Sequence, residues 1–399
     1  MAIFDKFQQL AATRRAMAAS GIQSISVVMD RVVSATEAFV NGRALILAGT
    51  NNYLGLTFHP ECIEAACDAA RTQGTGTTGS RVANGSYSAH VQLECELADF
   101  FDRRSVIVFS TGYVANLGML STLAGPGDVF VIDADCHASI YDGCRLSGAE
   151  IIRFRHNDTV DLDKRLRRLG ERIANTLIVV EGIYSMLGDR APLAEIAAVK
   201  RRCPGAHLVV DEAHSLGVLG DHGRGMAEEA GVEADVDFVI GTFSKSLGAI
   251  GGYCASDHPE LDLIRYANRP YVFTASSSPS IIASTRKALG ILSAHPELRQ
   301  RLWENARRLY ARLQTLGYHL SPEPSPIIAV RFAQREQAYA LWAELIERGI
   351  YVNLVVPPAT PDGSSLLRCS VSAGHTPEQI EKIGSAFADL KRSFASASD

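Results

Sequence analysis

The sequence predicts an α/β protein, with a large domain on a mostly parallel sheet and a smaller α/β C-terminal domain. Three observations carry this. Short β-branched apolar runs alternate with helix-like segments, the pattern of parallel strands joined by crossover helices. The runs are apolar throughout, as in strands covered by helices on both faces. After about residue 285 the texture changes to long helical stretches around one strand-like segment.

In chain order, an N-terminal arm (1–48) comes first. Ile3, Phe7 and Leu10 can share one face of a short helix, with Lys6, Arg14 and Arg15 nearby. That face is expected to pack against a partner subunit, with an interfacial membrane anchor as the alternative. The large domain (49–285) has a helix at 60–71 and strands at 106–109, 129–132, 177–180, 208–210 and 238–240. A helical segment at 191–200 lies between the third and fourth of these strands. The C-terminal domain (286–399) places helices at 299–316 and 335–348 around a strand at 327–331. Ile350, Val352 and Leu354 recur at period two, which reads as one buried strand face; an acyl tunnel bordered by them is the sharper alternative. The tail 393–399 is expected to fray.

Composition narrows the function. The 399 residues are 47% hydrophobic and 21% charged, ordinary values for a globular chain with ample core material. A formal net charge of -5 supplies no basic field for nucleic acid. No run of 18 apolar residues predicts a membrane span, and Asp5 and Lys6 interrupt any signal peptide. None of the eight cysteines forms a CxxC pair. They read as reduced core thiols of a cytoplasmic protein rather than zinc ligands or disulfides.

One motif is discounted. GTGTTG (74–79) fits GxGxxG, and Glu94 lies 20 residues past Gly74. A dinucleotide fingerprint needs a strand before the glycines, whereas 60–71 reads as a helix. A ligand-side or structural turn fits better.

Lys245 stands in GTFSK (241–245), 34 residues after Asp211, which follows the strand at 208–210. Alone, the lysine reads as a solvated charge and the aspartate as a cap. Together they suggest a pyridoxal phosphate site, which needs a Schiff-base amine and an acid facing the pyridinium nitrogen. Thr242 and Ser244 supply hydroxyls for the phosphate. STGY (110–113) follows a strand and opens a helix, so Gly112 and Tyr113 offer N–H groups at a positive helix end.

Further motifs accompany these: NYLG (52–55), TGSR (78–81), DADCHASIYDG (133–143), EGIYSMLGD (181–189), DEAH (211–214), YVFTAS (271–276), PPATP (357–361) and LRCS (367–370). In this order and spacing the chain resembles the α-oxoamine synthases, fold-type-I pyridoxal phosphate enzymes. It is most similar to the bacterial members that join L-serine to palmitoyl-CoA.

The resemblance implies roles. Lys245 carries the cofactor and then acts as the base at the substrate Cα. Asp211 pairs with the ring nitrogen and keeps it protonated. His214 and Ser185 bond the phenolic oxygen, and His137 stacks on the ring and touches the substrate carboxylate. Thr242 and Ser244 hold the phosphate, with Thr274 reaching in from the partner of a homodimer whose active sites are shared. Arg368 forks onto the amino-acid carboxylate, and Asn52 helps position the substrate. Val356 stands where some bacterial relatives have an arginine, which leaves Arg368 as the obvious carboxylate partner.

The implied reaction is a decarboxylative condensation of L-serine with a long-chain acyl-CoA, giving 3-ketodihydrosphingosine, in the cytoplasm or at the inner-membrane surface. Condensation of alanine with a pimeloyl thioester, or use of glycine, is the alternative within the family. A non-catalytic partner subunit, which can dispense with the lysine, and a nicotinamide dehydrogenase are the alternatives outside it.

Overall fold

Seven strands form the central sheet of the larger unit in the computed structural model, which describes residues 3–19, 27–357, 360 and 363–396. They are β1 (Ser105–Phe109), β2 (Val129–Asp133), β3 (Glu150–Phe154), β4 (Thr176–Glu181), β5 (His207–Asp211), β6 (Phe238–Thr242) and β7 (Gly252–Ser256). Their spatial order is β1-β7-β6-β5-β4-β2-β3. Only β7 runs antiparallel to its neighbours.

β2, β4 and β6 are buried at every residue, which is why they read as unbroken apolar runs. The two strands absent from the sequence reading depart from that pattern. β3 lies at the sheet edge, exposed at Glu150 and Arg153. β7 is GYCAS, without a β-branched residue, and gains its extended form by pairing with β1 and β6 on either side.

This unit comprises 51–185 and 189–302. The helix Pro60–Gln73 starts on a proline at its first turn and ends at Gly74, φ 83°. A helix, not a strand, therefore precedes the glycine run. Glu94 is buried in a structural role: it accepts from Arg81 Nη1 at 2.9 Å, Arg265 Nη1 at 3.0 Å and the Val108 N–H at 3.0 Å.

The other unit comprises 1–50, 186–188 and 303–399. An antiparallel hairpin pairs Glu37–Val40 with Arg43–Leu47. Asn41 (φ 50°) and Gly42 (φ 76°) make its turn, the Asn-Gly chemistry that a tight hairpin favours. Ile350–Tyr351 adds parallel to Arg43–Leu47. A second sheet has Ser365–Ser370 between Ile327–Phe332 and Asn353–Val355, all antiparallel. Leu309, Leu313, Trp342, Leu345 and Phe387 pack on Ile328, Val330 and Leu367 to form its core.

Ile350, Val352 and Leu354 are all buried in that core, but on two short strands in different sheets, with Val352 between them, rather than on one strand face. Residues 393–396, expected to fray, continue the helix Pro377–Ser396; 397–399 lie outside the described residues. At the N-terminus, Asp5–Phe7 form a 3-10 turn before the helix Gln8–Ala19. Ile3, Phe7 and Leu10 are exposed.

Candidate active site

The carboxyl ends of β4, β5 and β6 converge with the starts of two helices, Gly112–Leu123 and Ala138–Ser147. Ligand sites of open α/β sheets form at such strand ends. The cavity there measures about 240 Å³, and Gly112, Tyr113, His137, Asp211, His214, Thr242, Ser244 and Lys245 all line it.

Asp211 ends β5 and is buried. Its Oδ1 accepts the Ala213 N–H at 2.8 Å and its Oδ2 accepts Asn116 Nδ2 at 2.6 Å. The same Asn116 amide reaches Ser139 Oγ at 3.0 Å. These bonds fix the direction of the carboxylate.

Beside Asp211 lies a second acid. Glu181 ends β4 in register with Asp211 and lines the same cavity. Burial and the Asp211 charge push the Glu181 carboxyl well above the usual carboxylate range. Two adjacent buried carboxyls cannot both ionise cheaply, which favours the neutral form of Glu181. It accepts the His137 backbone N–H.

His137 caps the helix Ala138–Ser147, its Nδ1 accepting the Ser139 N–H at 3.2 Å. Burial lowers its pKa, the Asp211 charge opposes this, and the Lys245 charge adds to it. The Tyr113 and His137 rings meet edge to face at 6.3 Å. His214 Nδ1 is 2.7 Å from Tyr53 Oη, deep in the core.

The groups at the helix start are equally organised. Thr111 caps the helix Gly112–Leu123 by accepting the Val114 N–H at 3.0 Å. Thr242 Oγ1 donates to the Gly251 carbonyl at 2.8 Å and lies 2.9 Å from Ser244 Oγ. A Cβ at Gly112 would meet Thr242 Cβ at 2.7 Å, so only glycine lets helix start and threonine approach. Lys245 is half-buried, three residues beyond the end of β6.

Four of the sequence-derived residues do not line this cavity. Ser185 follows β4 in the loop toward Asp189. Asn52 is buried and donates to Thr57 Oγ1 at 2.7 Å. Thr274 lines a separate small cavity with Arg81, His90 and Ser276. Arg368 belongs to the other unit, buried on the central strand Ser365–Ser370, where its Nη1 donates to Ser370 Oγ at 2.8 Å. Of the PPATP segment, Pro358, Ala359 and Pro361 lie outside the described residues.

Sequence reasoning assigned no role to Glu181, Asn116 or Ser139. Glu181 carried a visible signal, an acid closing an apolar strand just as Asp211 does. Asn116 and Ser139 carried none, because their importance comes from a contact across 95 residues to Asp211 in the first case and 23 to Asn116 in the second.

The donor set fits pyridoxal phosphate: an amine, a fixed carboxylate, an imidazole, and hydroxyls beside a helix N-terminus, around one cavity. The family model described as aminotransferase class I and II matches residues 44–387. A serine palmitoyltransferase of Caulobacter vibrioides is 56% identical over 98% of this chain and 96% of its own length. The solved serine palmitoyltransferase of Sphingomonas wittichii superimposes with a TM-score of 0.95 at 52% identity, covering 98% of this chain and 99% of that one. A second such structure, with pyridoxal phosphate as an internal aldimine, gives 0.95 at 48% identity over the same shares. An 8-amino-7-oxononanoate synthase of Lysinibacillus sphaericus is more distant, 38% identical over 87% of this chain and 89% of its own. The chain belongs to the class I and II aminotransferase family, among the pyridoxal phosphate enzymes of the α-oxoamine synthase group that includes the bacterial serine palmitoyltransferases.

Proposed function

We propose that the protein condenses L-serine with palmitoyl-CoA, releasing CoA and carbon dioxide and forming 3-ketodihydrosphingosine. The observation that carries the chemistry is the gathering of Lys245, Asp211 and His137 around one cavity. The choice of substrates follows the near full-length similarity to serine palmitoyltransferases.

When bound, pyridoxal phosphate supplies an aldehyde carbon for an amine and a ring that withdraws the Cα electron pair. Lys245 would hold the cofactor through its amine, and that amine, once free, would take the Cα proton of the bound serine. Asp211, held by Asn116 and Ala213, keeps a proton at the ring nitrogen. Glu181, pushed toward its neutral form, would add little negative charge beside Asp211. His137 stacks on the ring, and His214 with Ser185 serves the phenolic oxygen. Gly112, Tyr113, Thr242 and Ser244 hold the phosphate.

Arg368 and Asn52 orient the amino acid, Arg368 through its carboxylate. The Cα–carbon bond to the thioester carbonyl forms as the carbon–sulfur bond breaks. The carboxyl then leaves as carbon dioxide, and a proton returns to Cα.

The functional unit is a homodimer in which Thr274 serves the partner's phosphate. Two facts support this: Thr274 does not line the cavity of its own chain, and neighbouring Phe273 is 76% exposed. The protein is placed in the cytoplasm, consistent with eight free cysteines and with no described helix long and apolar enough to cross a membrane.

A matrix of amino acids against acyl-CoAs, scored by CoA release, tests the assignment. Serine with palmitoyl-CoA should exceed alanine or glycine at least tenfold, about 1.4 kcal/mol. A pocket that hydrogen-bonds the hydroxyl rejects an analogue lacking it. Equal or faster release with alanine and pimeloyl-CoA overturns the choice in favour of 8-amino-7-oxononanoate formation.

A further inference from the structure

We propose that His207, Asp237 and His258 form a binding site for a zinc-like divalent cation at the strand ends of the central sheet opposite the active site. His207 opens β5, Asp237 immediately precedes β6, and His258 lies just past the end of β7. These three strands are neighbours in the sheet, so the side chains converge from rigid strand ends. The active-site residues Asp211 and Thr242 close β5 and β6 at their other ends. His207 and Asp211 are about 13 Å apart at roughly 3.3 Å per strand residue.

Two of the three ligand separations match those around a bound ion, and the third is within 4.8 Å. Asp237 Oδ1 lies 3.1 Å from His207 Nδ1 and 3.0 Å from His258 Nε2, and all three atoms fall within 4.8 Å of one another. Ligands bound at about 2.1 Å and separated by 90–110° lie about 3.0–3.4 Å apart. Both imidazoles are partly exposed and accessible to an ion.

The carboxylate is prepositioned. Its Oδ2 accepts Lys200 Nζ at 2.6 Å and the Leu208 N–H at 2.7 Å, leaving Oδ1 between the imidazoles. Outer partners of this kind orient a ligating carboxylate. The His258 ring is further held by stacking on Phe238 at 5.2 Å. Lys200 sets a limit on affinity, because its charge opposes a second cation nearby.

A comparable grouping, Asp133, Asp135 and His156, fails as a site. Both ring nitrogens of His156 are taken, by Asp133 at 2.9 Å and Asp189 at 2.6 Å. Burial opposes its charge, but these two carboxylates win and raise its pKa to about 10. A protonated imidazole has no lone pair for a metal.

Two histidines and one carboxylate suit zinc, cobalt or nickel; magnesium and calcium prefer oxygen alone. Calorimetry of the holoenzyme with zinc chloride should show one ion per chain at micromolar affinity. Cobalt(II) should give visible d–d bands without a thiolate charge-transfer band, while magnesium and calcium give no heat. His207→Ala and His258→Ala should each weaken zinc binding at least tenfold, with folding checked by circular dichroism. His222→Ala, which removes an exposed imidazole elsewhere, should leave it unchanged. Failure of the wild type to take up zinc, unchanged affinity in the His207→Ala, His258→Ala double variant, or a thiolate cobalt spectrum overturns the site.

Discussion

At the residue scale, the chemistry depends on which groups carry charge. Lys245 is the one lysine among the residues lining the cavity, so Lys245→Ala should abolish turnover while the fold persists. Borohydride treatment of the wild type should fix the cofactor on the peptide containing Lys245; label on any other lysine would remove the basis of the mechanism. Glu181 gives a sharper test. Burial and Asp211 push it toward the protonated form, and it accepts the His137 N–H. Glutamine has the same shape and the same acceptor. Glu181→Gln should therefore keep cofactor content and turnover within about threefold, since a neutral isostere leaves the hydrogen bond in place. Loss of cofactor in that variant would show that Glu181 acts as an anion.

At the element scale, the loop leaving β4 is tied to the sheet by one imidazolium. His156 bridges Asp133 of β2 and Asp189 and packs edge to face on Tyr184 at 4.5 Å. Its folded-state pKa of about 10 stands above the ordinary 6.5. The sign follows from linkage: the folded state holds the proton more tightly, so the added stability is complete below pH 6.5. It declines as pH rises and is gone above about 10. His156→Gln should lower the melting temperature at pH 6.5, and its deficit against wild type should shrink steadily toward pH 10. The contribution at the acid end is on the order of a few kcal/mol. A deficit independent of pH from 6.5 to 10 would mean that packing on Tyr184, not charge, is what His156 supplies.

At the scale of the whole molecule, the proposed shared active site makes a prediction that no single chain can satisfy. Lys245→Ala and Thr274→Asp should each be inactive, the second because an added anion repels the phosphate. If Thr274 serves the partner's site, a mixed dimer places both defects in one site and none in the other. Mixing the two variants under conditions that exchange subunits should therefore restore turnover. If Thr274 served its own chain's cofactor, mixed dimers would stay inactive.

The sequence by itself determined the α/β class and the five buried apolar strands, and it carried the pyridoxal phosphate reading of Lys245 and Asp211. Each of these rests on a local pattern: continuous apolar runs, or a reactive residue at the end of one. It also held a legible tight turn at Asn41-Gly42 and a second strand-end acid at Glu181. Tertiary structure alone decided the rest. β7 is a strand because β1 and β6 flank it, not because GYCAS favours extension. Asn116 matters because folding brings it 2.6 Å from Asp211, and Glu181 is pushed toward its neutral form because strand register sets it beside that aspartate in a buried site. Pairing, burial and charge coupling are properties of neighbours in space, and a linear order of residues does not state who those neighbours are.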